Sequence, residues 1–372
     1  MDRRQWLIII LILIISAISF LRSFLGLIGT IPWNYGYSDV YNEDRIDPTL
    51  AQKIPYLERG VEYPLITGFF IYFMWYLGRS LFGYAILTWI FLALCYAVTA
   101  LTLNELISMF NIKKERLFWF FVYAPSLLVF GIYNWDIIAV MFMVLAIYFF
   151  YRNQYVLSSL SLGLGFNAKL FPIIILPIML LKTNLKQGIK IMLMFLVTFL
   201  ILNLYFVING FDVWKITYTF HGSRAPNIDS IWALTHLGTG TINIMSMLLF
   251  LIAFTILVPY HKRFDVISLR FASLLLFLLF NKVFSPQYIL WVLPFFVLSQ
   301  TIARNVFYSL EFANIVVFFL TLHWILVSKG QVVLMASSLF VIVRTLLLAY
   351  LLYTMLVKSR YNYKIIQQNK YK

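Results

Sequence analysis

Charged residues are scarce in this chain, and cysteine is almost absent. Charged side chains make up 12% of its 372 residues, whereas a soluble domain carries about 25%. The single cysteine, Cys95, lies in an apolar run, which excludes an intrachain disulfide and a cysteine metal cluster. The four histidines are scattered and show no metal-ligand spacing. We therefore expect no bound metal ion.

Nucleotide-binding signatures are missing as well. The chain has no Walker-type phosphate loop, no glycine-rich dinucleotide turn after a strand and no zinc-protease helix motif. It also shows no internal repeat, no low-complexity tract and no segment polar enough for a soluble domain. These absences argue against a soluble domain that binds ATP or a nucleotide sugar.

Apolar residues dominate instead, since they form 62% of the chain and its mean hydropathy is +0.88. A net charge of +15 is compatible with nucleic-acid binding, but the basic residues fall in short clusters between apolar runs. That pattern is typical of the cytoplasmic loops of membrane proteins. The sequence therefore predicts an all-α polytopic membrane protein, one integral membrane domain over residues 1–372, with no nucleic-acid partner.

Apolar runs near the length needed to cross a bilayer, about 20 residues, recur along the chain. Arg3 and Arg4 precede the first run, which favours an inner N-terminus and a signal anchor that is retained. The basic clusters then predict about 12 transmembrane helices with both termini inside. The predicted spans are residues 6–28, 82–103, 117–131, 137–151, two short helices within 155–181 that break at 167–172, 190–209, 241–259, 267–283, 286–299, 305–327 and 331–357.

Three segments outside these spans are predicted on the outer face. The first, residues 30–63, is rich in acidic residues and is the candidate catalytic loop. Residues 64–78 are short for a span and begin at Pro64, so they predict a juxtamembrane or re-entrant helix. The third is a second long loop, residues 210–236.

Polar residues that hydropathy does not explain all fall on the predicted outer side. Ionisable groups at membrane depth cost about 2.5–3.5 kcal/mol each, so several of them on one face indicate pairing or a ligand. The cations suit a phosphate, and the carboxylates suit general-base work on a hydroxyl. The set comprises Asp39, Glu62, Asp136, Lys169, His221, Arg224, Asp229, Lys282 and Gln287.

Each of these residues also has an ordinary structural interpretation. Asp39 suits a turn, whereas Glu62 and Asp136 suit the positive ends of helices. Lys169 and Lys282 have side chains long enough to reach lipid head groups. The remaining alternatives are solvated loop charges at Glu43 and Asp44, an ordinary loop histidine at His221, and pairing or snorkelling for Arg22 and Arg344 within apolar spans.

Five stretches of the chain resemble one family of membrane enzymes. They read YSDVYNEDR with KIPYLERGVEYPL in the first outer loop, then YNWDII, GFNAKLFPIIILPI, HGSRAPNIDSIWAL and FNKVFSPQYILWVLPF. In order and spacing they are similar to the GT-C superfamily of glycosyltransferases, which use polyprenyl-phosphate sugars. The nearest resemblance is to the dolichyl-phosphate-mannose α-mannosyltransferases of the first GPI-mannose step and to glycosyltransferase family 87.

This resemblance implies a GT-C type fold and the transfer of a sugar from a polyprenyl- or dolichyl-phosphate donor to a glycan or glycolipid acceptor. The sugar is mannose by resemblance alone, and no cofactor is implied because the lipid-phosphate sugar is a substrate. Asp39 would be the catalytic base. The donor phosphate would be bound by Lys169, Arg224, Lys282 and His221, and the substrates by Glu62, Tyr63, Asn134, Asp136, Asp229, Gln287 and Tyr288.

One departure from the family pattern bears on the mechanism. The GPI enzymes have an Asp-x-Asp pair at the active site, and Tyr41 stands where the second acid would be. This difference favours a mechanism with a single base and no metal.

Two other classes of function stay open. Broken helices with a lysine at the break also occur in secondary transporters, and a lipid flippase would suit an outer polar cavity. A non-catalytic membrane subunit or lipid-binding scaffold is the second, although it needs no carboxylate-rich loop near cations. We expect an integral protein of a prokaryotic cell membrane, or of the endoplasmic reticulum in a eukaryote, with its active site on the outer or lumenal face among membrane lipids.

Overall fold

The chain is almost entirely helical. The computed structural model describes residues 2–42, 47, 49, 52–262 and 264–370, without the side chains of Tyr260 and residues 358–370. About 79% of the chain is helical, and this described part contains no β-strand. Glu43 and Asp44 of the first acidic loop lie outside the described residues, as does Arg263 of a basic cluster.

Six helices are long and apolar enough to cross a membrane. They are Arg3–Leu27, Leu81–Met109, Leu185–Asn209, Thr239–Leu257, Arg304–Leu326 and Gln331–Val357. Shorter apolar helical segments are Leu65–Gly78, Asp136–Tyr151, Phe171–Leu181, Val266–Phe280 and Pro286–Leu298. The prediction of an all-α membrane protein therefore fits, whereas the count of twelve crossings and the GT-C type stay predictions.

The chain divides into two compact units. The first consists of Met1–Leu106, Leu127–Leu176 and Thr183–Arg224, and the second of Ile107–Ser126, Pro177–Lys182 and Ala225–Lys372. Both units contain candidate spans. The further helices assigned to residues of the first unit are Trp33–Gly36, Tyr155–Ala168, Phe211–Trp214 and Ile216–Ser223, with 3-10 turns at Asp39–Tyr41 and Phe171–Ile175.

Small residues allow close helix packing in the first unit. The helix Tyr155–Ala168 packs against both Asp136–Tyr151 and Leu185–Asn209. Its sequence contains SSLSLGLG, and small side chains let helix backbones approach closely within membranes. A Cβ atom on Gly163 would come within 2.7 Å of the Thr198 side chain. A larger residue at position 163 would therefore separate two helices of this unit.

Helix boundaries in the first unit follow the local capping and proline signals. The prediction of a helix over 64–78 is confirmed, because Leu65–Gly78 is helical and Pro64 is its N-cap. The predicted break at 167–172 is confirmed as well. The helix Tyr155–Ala168 ends there, and Lys169 has extended backbone angles, φ −158° and ψ 145°. The prediction that residues 64–78 are juxtamembrane or re-entrant stays a prediction.

Three of the predicted spans need correction. One continuous helix over 117–131 is wrong, because a π-helical turn, Phe118–Val122, is followed by a separate short helix, Pro125–Phe130. Pro125 lacks the N–H that a continuing helix would need, and its ring would clash with the preceding helical turn. The segment 286–299 is a 3-10 turn, Pro286–Trp291, joined to a six-residue helix. The helix that begins at Val266 ends at Phe280, short of the predicted residue 283.

The second unit has its own apolar core. Val266–Phe280 is capped by Asp265, whose carboxylate accepts from the Ser268 amide at 2.9 Å. A buried cluster joins this helix to its neighbours through Ile178, Leu257, Phe264, Leu269, Ala272 and Leu276. The other helical segments assigned to residues of this unit are Glu115–Leu117, Leu176–Leu181, Ile231–Thr235, Val258–Lys262, Leu293–Leu298 and the full helix Gln331–Lys370. The second outer loop of the prediction, residues 210–236, therefore contains short helices in both units.

Candidate active site

The carboxylate of Asp39 is held by two hydrogen-bond donors in the first unit. Ser38 caps the short 3-10 turn that begins at Asp39, and its hydroxyl accepts from the Val40 amide. The Tyr37 hydroxyl donates to Asp39 Oδ1 at 3.1 Å, and Asn134 Nδ2 donates to Oδ2 at 3.0 Å. Each carboxylate oxygen therefore has one donor, and the side chain stays only half-buried.

Asn134 is fixed so that it presents N–H groups to Asp39. Its Oδ1 accepts from the Trp135 amide at 2.6 Å, and its Nδ2 donates to Tyr63 Oη at 3.1 Å as well as to Asp39. The Tyr63 ring packs edge-on against Trp135, with 5.3 Å between ring centroids. Because the amide oxygen is committed to the backbone, the amide nitrogen must face the carboxylate. This orientation favours the ionised form of Asp39.

The segment that carries Asn134 is anchored to the first helix and to the acidic loop. The Ser38 hydroxyl donates to the Ile132 carbonyl at 2.6 Å, and the Ile132 amide donates to Ser19 Oγ at 3.1 Å. Arg22, within the first apolar helix, donates to the Val129 carbonyl at 2.7 Å. These bonds satisfy buried backbone groups, and they set the position of Asn134 relative to Asp39.

Lys169 lies at the helix break and forms an ion pair with Asp136. Asp136 is fully buried and is the first residue of its helix, and its Oδ2 has no hydrogen-bond partner among the described residues. The break itself is held by Thr67, which donates to the Ala168 carbonyl at 2.7 Å. Lys169 Nζ also lies 5.8 Å from the centroid of the Tyr63 ring. The lysine therefore stands beside the residues that surround Asp39.

His221 faces the backbone of the acidic loop. Its Nε2 lies 3.0 Å from the Glu62 carbonyl oxygen, so Nε2 carries the proton and donates. Thr217, one helical turn earlier, donates to the Val61 carbonyl at 2.7 Å. Burial lowers the pKa of His221, and the charge of Lys169 lowers it further. His221 is therefore a neutral donor at pH 7, and Arg224 is close enough to act on its charge.

The environment of Asp39 raises its pKa above the ordinary value of 3.8. Burial of the carboxyl is the main cause, and the charge of Glu62 acts in the same direction. The donors Asn134 and Tyr37 and the charge of Lys169 oppose the rise. A carboxylate that is more basic than usual, yet still supplied with donors, suits a general base.

Eight of the predicted site residues come together around Asp39 in the first unit. They are Asp39, Glu62, Tyr63, Asn134, Asp136, Lys169, His221 and Arg224. They come from five separate stretches of the sequence, around residues 39, 62–63, 134–136, 169 and 221–224. This convergence brings three carboxylates, two half-buried and one fully buried, and three potential phosphate ligands into one neighbourhood.

The other four predicted residues belong to the second unit, where two loops are bound together. Lys282 Nζ donates to Asn243 Oδ1 at 2.5 Å, and the Lys282 carbonyl accepts from the Asn227 amide at 3.2 Å. Tyr288 stacks on Trp291 with 3.8 Å between ring centroids. Gln287 is buried in the same 3-10 turn. Their predicted roles in substrate binding stay predictions.

Asp229 is also buried in the second unit, and a charged residue of the last helix holds its backbone. Arg344 is fully buried, donates to the Asp229 carbonyl, and donates to Asn314 Oδ1 at 3.0 Å. Its guanidinium also lies 4.0 Å from the centroid of the Phe284 ring. The alternative that Arg344 is paired within the protein therefore holds.

The sequence indicates the charged and polar residues of the site, but it does not indicate the residues whose hydrogen bonds hold Asp39 and Asn134 in position. The sequence does not single out Tyr37 and Ser38, which directly precede Asp39. The pairing predicted for Arg22 holds, because its guanidinium donates to backbone carbonyls, but the sequence does not show which ones. A charged residue inside an apolar helix was the available signal for Arg22, because such a residue requires polar partners. The serines gave no signal, since their partners are backbone groups distant in sequence.

Comparisons with known proteins add no relatives to this description. No protein-family model matches the chain, and the search of curated proteins gave no significant match. The residues of the site are therefore the guide to the function of this protein. Those residues offer a carboxylate, a neutral donor and the cationic side chains of Lys169 and Arg224, a set that is chemically able to deprotonate a hydroxyl and stabilise a departing anion.

Proposed function

We propose that the protein is a membrane glycosyltransferase of GT-C type. It would move a sugar, mannose in our proposal, from a polyprenyl- or dolichyl-phosphate donor to a hydroxyl group of a lipid-linked or other envelope glycan. The observation that supports it most is the half-buried Asp39, held by Asn134 and Tyr37 beside the Lys169–Asp136 ion pair. We further propose a prokaryotic cell membrane as its location and the outer face as the site of reaction.

In this mechanism Asp39 accepts the proton of the acceptor hydroxyl. The acceptor oxygen attacks the anomeric carbon, the bond from that carbon to the phosphate oxygen breaks, and the polyprenyl phosphate leaves with inversion. A positioned base contributes typically 10²–10⁴-fold to such a step. The leaving group is an anion of low basicity, so the mechanism needs no general acid.

The phosphate would be bound on the cationic side of the site. Lys169 supplies a positive charge beside Asp136. Arg224 supplies a second charge and His221 a neutral group beside it. Preorganised donors and charges at the place where negative charge develops are often the largest single contribution to catalysis.

The direct test is a transfer assay with the purified full-length protein. Labelled polyprenyl-phosphate mannose and polyprenyl-phosphate glucose are each incubated with the protein and a lipid extract. We expect a labelled glycolipid from one donor, with an anomeric configuration opposite to that of the donor. Absence of a labelled product with both donors, across extracts from several organisms, would count against the proposal.

One observation favours a second candidate function. Lys169 sits in extended backbone between a helix end and a 3-10 turn, and broken helices of this kind line substrate sites in transporters. A lipid flippase would move labelled polyprenyl-phosphate mannose between the leaflets of reconstituted vesicles and leave it chemically unchanged. Flipping without transfer would select this candidate over the glycosyltransferase.

A further inference from the structure

The two oxygens of the Asp39 carboxylate face chemically different neighbours. Oδ2 faces Asn134, and beyond Asn134 lie Tyr63 and the charged residues Lys169 and Asp136. Oδ1 faces the Tyr37 hydroxyl. The Tyr37 side is therefore distinct from the charged side that suits a phosphate.

Aromatic rings form the Tyr37 side. Trp33 packs edge-on against Tyr37, with 5.3 Å between ring centroids, and Tyr37 packs against Tyr133 at 5.8 Å. Trp33 is half-buried, and the neighbouring Tyr35 is 52% exposed. We name Trp33, Tyr37 and Tyr133 the aromatic cluster.

The cluster is fixed in place by the backbone and not only by ring contacts. The short helix Trp33–Gly36 follows Pro32 and packs on the helix Arg3–Leu27. A Cβ atom on Gly36 would lie 2.4 Å from the Cα atom of Gly26, so the two backbones are in direct contact. Aromatic rings on such a support lose little freedom when a ligand binds.

The guanidinium of Arg22, near this cluster, already makes hydrogen bonds within the protein. Arg22 donates to the carbonyl of Tyr35 and to that of Val129, and to the hydroxyl of Ser23. Its guanidinium is thus engaged with backbone and hydroxyl oxygens. Among the residues that the structure describes, those beside Asp39 Oδ1 are mainly aromatic.

We propose that the aromatic cluster is the acceptor subsite and that the acceptor is a carbohydrate whose pyranose ring stacks on Trp33. This inference rests on the proposed function. The donor carries an anionic phosphate, which the cationic side suits, whereas a neutral pyranose presents C–H groups that pack on aromatic faces. Tyr37 joins the subsite to the base, because its hydroxyl donates to Asp39.

The test separates acceptor binding from donor binding. Kinetics are measured for the full-length wild type, Trp33→Ala, Trp33→Phe and the control Trp6→Ala, with labelled polyprenyl-phosphate mannose as donor and methyl α-mannoside as acceptor. Trp6 is 55% exposed on the first helix and lies far from Asp39 in sequence. We expect Trp33→Ala to raise the acceptor KM by about 10-fold or more, as truncation of a buried aromatic contact does. The donor KM should stay within about twofold.

The outcomes are distinct. Trp33→Phe should restore most of the acceptor affinity, because it keeps a ring, and Trp6→Ala should change neither KM. An unchanged acceptor KM in Trp33→Ala overturns the proposal, and so does a rise in its donor KM as large as the rise in its acceptor KM. The proposal also fails if Trp6→Ala raises the acceptor KM as much as Trp33→Ala does. An equal effect of Trp6→Ala would mean that the tryptophans only anchor the protein in the membrane.

A binding measurement separates this proposal from the proposed function. Saturation-transfer NMR with methyl α-mannoside is recorded on wild type, Trp33→Ala and Asp39→Asn. We expect signal with wild type and Asp39→Asn, and loss of signal with Trp33→Ala. If the wild type binds the mannoside through Trp33 yet transfers no sugar, the glycosyltransferase proposal alone fails. If it transfers sugar but Trp33→Ala keeps the full signal, the subsite proposal alone fails.

Discussion

The pKa of Asp39 is set by a competition between burial and hydrogen bonding. Burial raises it, and the donors Asn134 and Tyr37 oppose that rise. A base whose pKa lies above 3.8 loses its active, ionised form as the pH falls through that raised value. Transfer should therefore decline on the acid side with a midpoint above that of an ordinary aspartate.

Removal of one hydrogen-bond donor to Asp39 should shift the pH at which transfer declines on the acid side. Asn134→Ala takes away a hydrogen bond to the ionised carboxylate, and that bond lowers the pKa of Asp39, so the pKa should rise further without it. The pH profile of kcat/KM measures the shift directly, and Tyr37→Phe should move it in the same direction. Asn209→Ala is the control, because Asn209 is exposed and its amide donates only to the Tyr205 carbonyl. A profile that does not move in Asn134→Ala contradicts this account of Asp39.

Lys169 has both a structural and a proposed catalytic role, and the two can be separated. Asp136 is fully buried and Lys169 is its ion-pair partner. Lys169→Met should lower the free energy of unfolding by about 3–5 kcal/mol, because it leaves a buried carboxylate unpaired. The double variant Lys169→Met/Asp136→Asn should recover most of that stability. Thermal unfolding in detergent measures both.

Transfer activity then distinguishes the two roles of Lys169. If the lysine binds the donor phosphate, the stable double variant should still lose transfer, and its donor KM should rise by at least about 10-fold. A double variant with wild-type stability and wild-type donor KM would show that Lys169 only pairs with Asp136 and does not bind the donor phosphate.

At the scale of elements, the contact between the helix Arg3–Leu27 and the short helix Trp33–Gly36 positions Asp39. Gly36 touches Gly26 through the backbone, and Asp39 follows three residues after Gly36. Gly36→Ala should push the short helix away and lower kcat by about 10-fold or more, because small misplacements of catalytic groups are costly.

Gly240→Ala is the matched control for that variant. Gly240 is the second residue of the helix Thr239–Leu257, and a Cβ atom there would meet open space. Alanine should therefore leave both transfer and thermal stability unchanged, or raise stability slightly, since it favours helix more than glycine does. If Gly36→Ala is as active as Gly240→Ala, the backbone contact does not position Asp39.

The elements that the sequence predicted well are those with a local signal. Pro64 marked the start of Leu65–Gly78, and the polar Lys169 with Pro172 marked the broken helix. The split of 117–131 is not evident from hydropathy, which registers neither the break at Pro125 nor the π-helical turn before it. Length and composition find apolar helices, but they do not show where a helix changes its hydrogen-bonding pattern.

The site was predictable as a list of residue types and not as a set of contacts. Asp39, Asp136 and Lys169 stood out because ionisable groups are rare in this chain. The ion pair between Lys169 and Asp136 joins positions 33 residues apart, and the hydrogen bond from Asn134 to Asp39 joins positions 95 residues apart. Such contacts depend on how the helices pack, which hydrophobic periodicity alone does not determine.

At the scale of the whole molecule, sidedness is the prediction that the mechanism requires. The positive-inside rule puts the acidic loop outside and the basic segment around residues 182–190 inside. A background without Cys95, which is buried, allows single cysteines at Asp47 and at Leu185, both exposed. An impermeant maleimide added to intact cells should label Asp47→Cys and spare Leu185→Cys until the membrane is opened. Labelling of both in intact cells, or the reverse pattern, contradicts the proposed topology.

The most direct measurement is sugar transfer by Asp39→Asn compared with Asp47→Asn. Both lie in the acidic loop, but Asp47 is exposed and its carboxylate binds only the amide and hydroxyl of Thr49 among the described contacts. We predict that Asp39→Asn lowers kcat by about 10²–10⁴-fold while it keeps wild-type thermal stability and donor binding. Asp47→Asn should keep wild-type turnover. Wild-type turnover by Asp39→Asn with purified polyprenyl-phosphate mannose would show that Asp39 is not the base and would contradict the account.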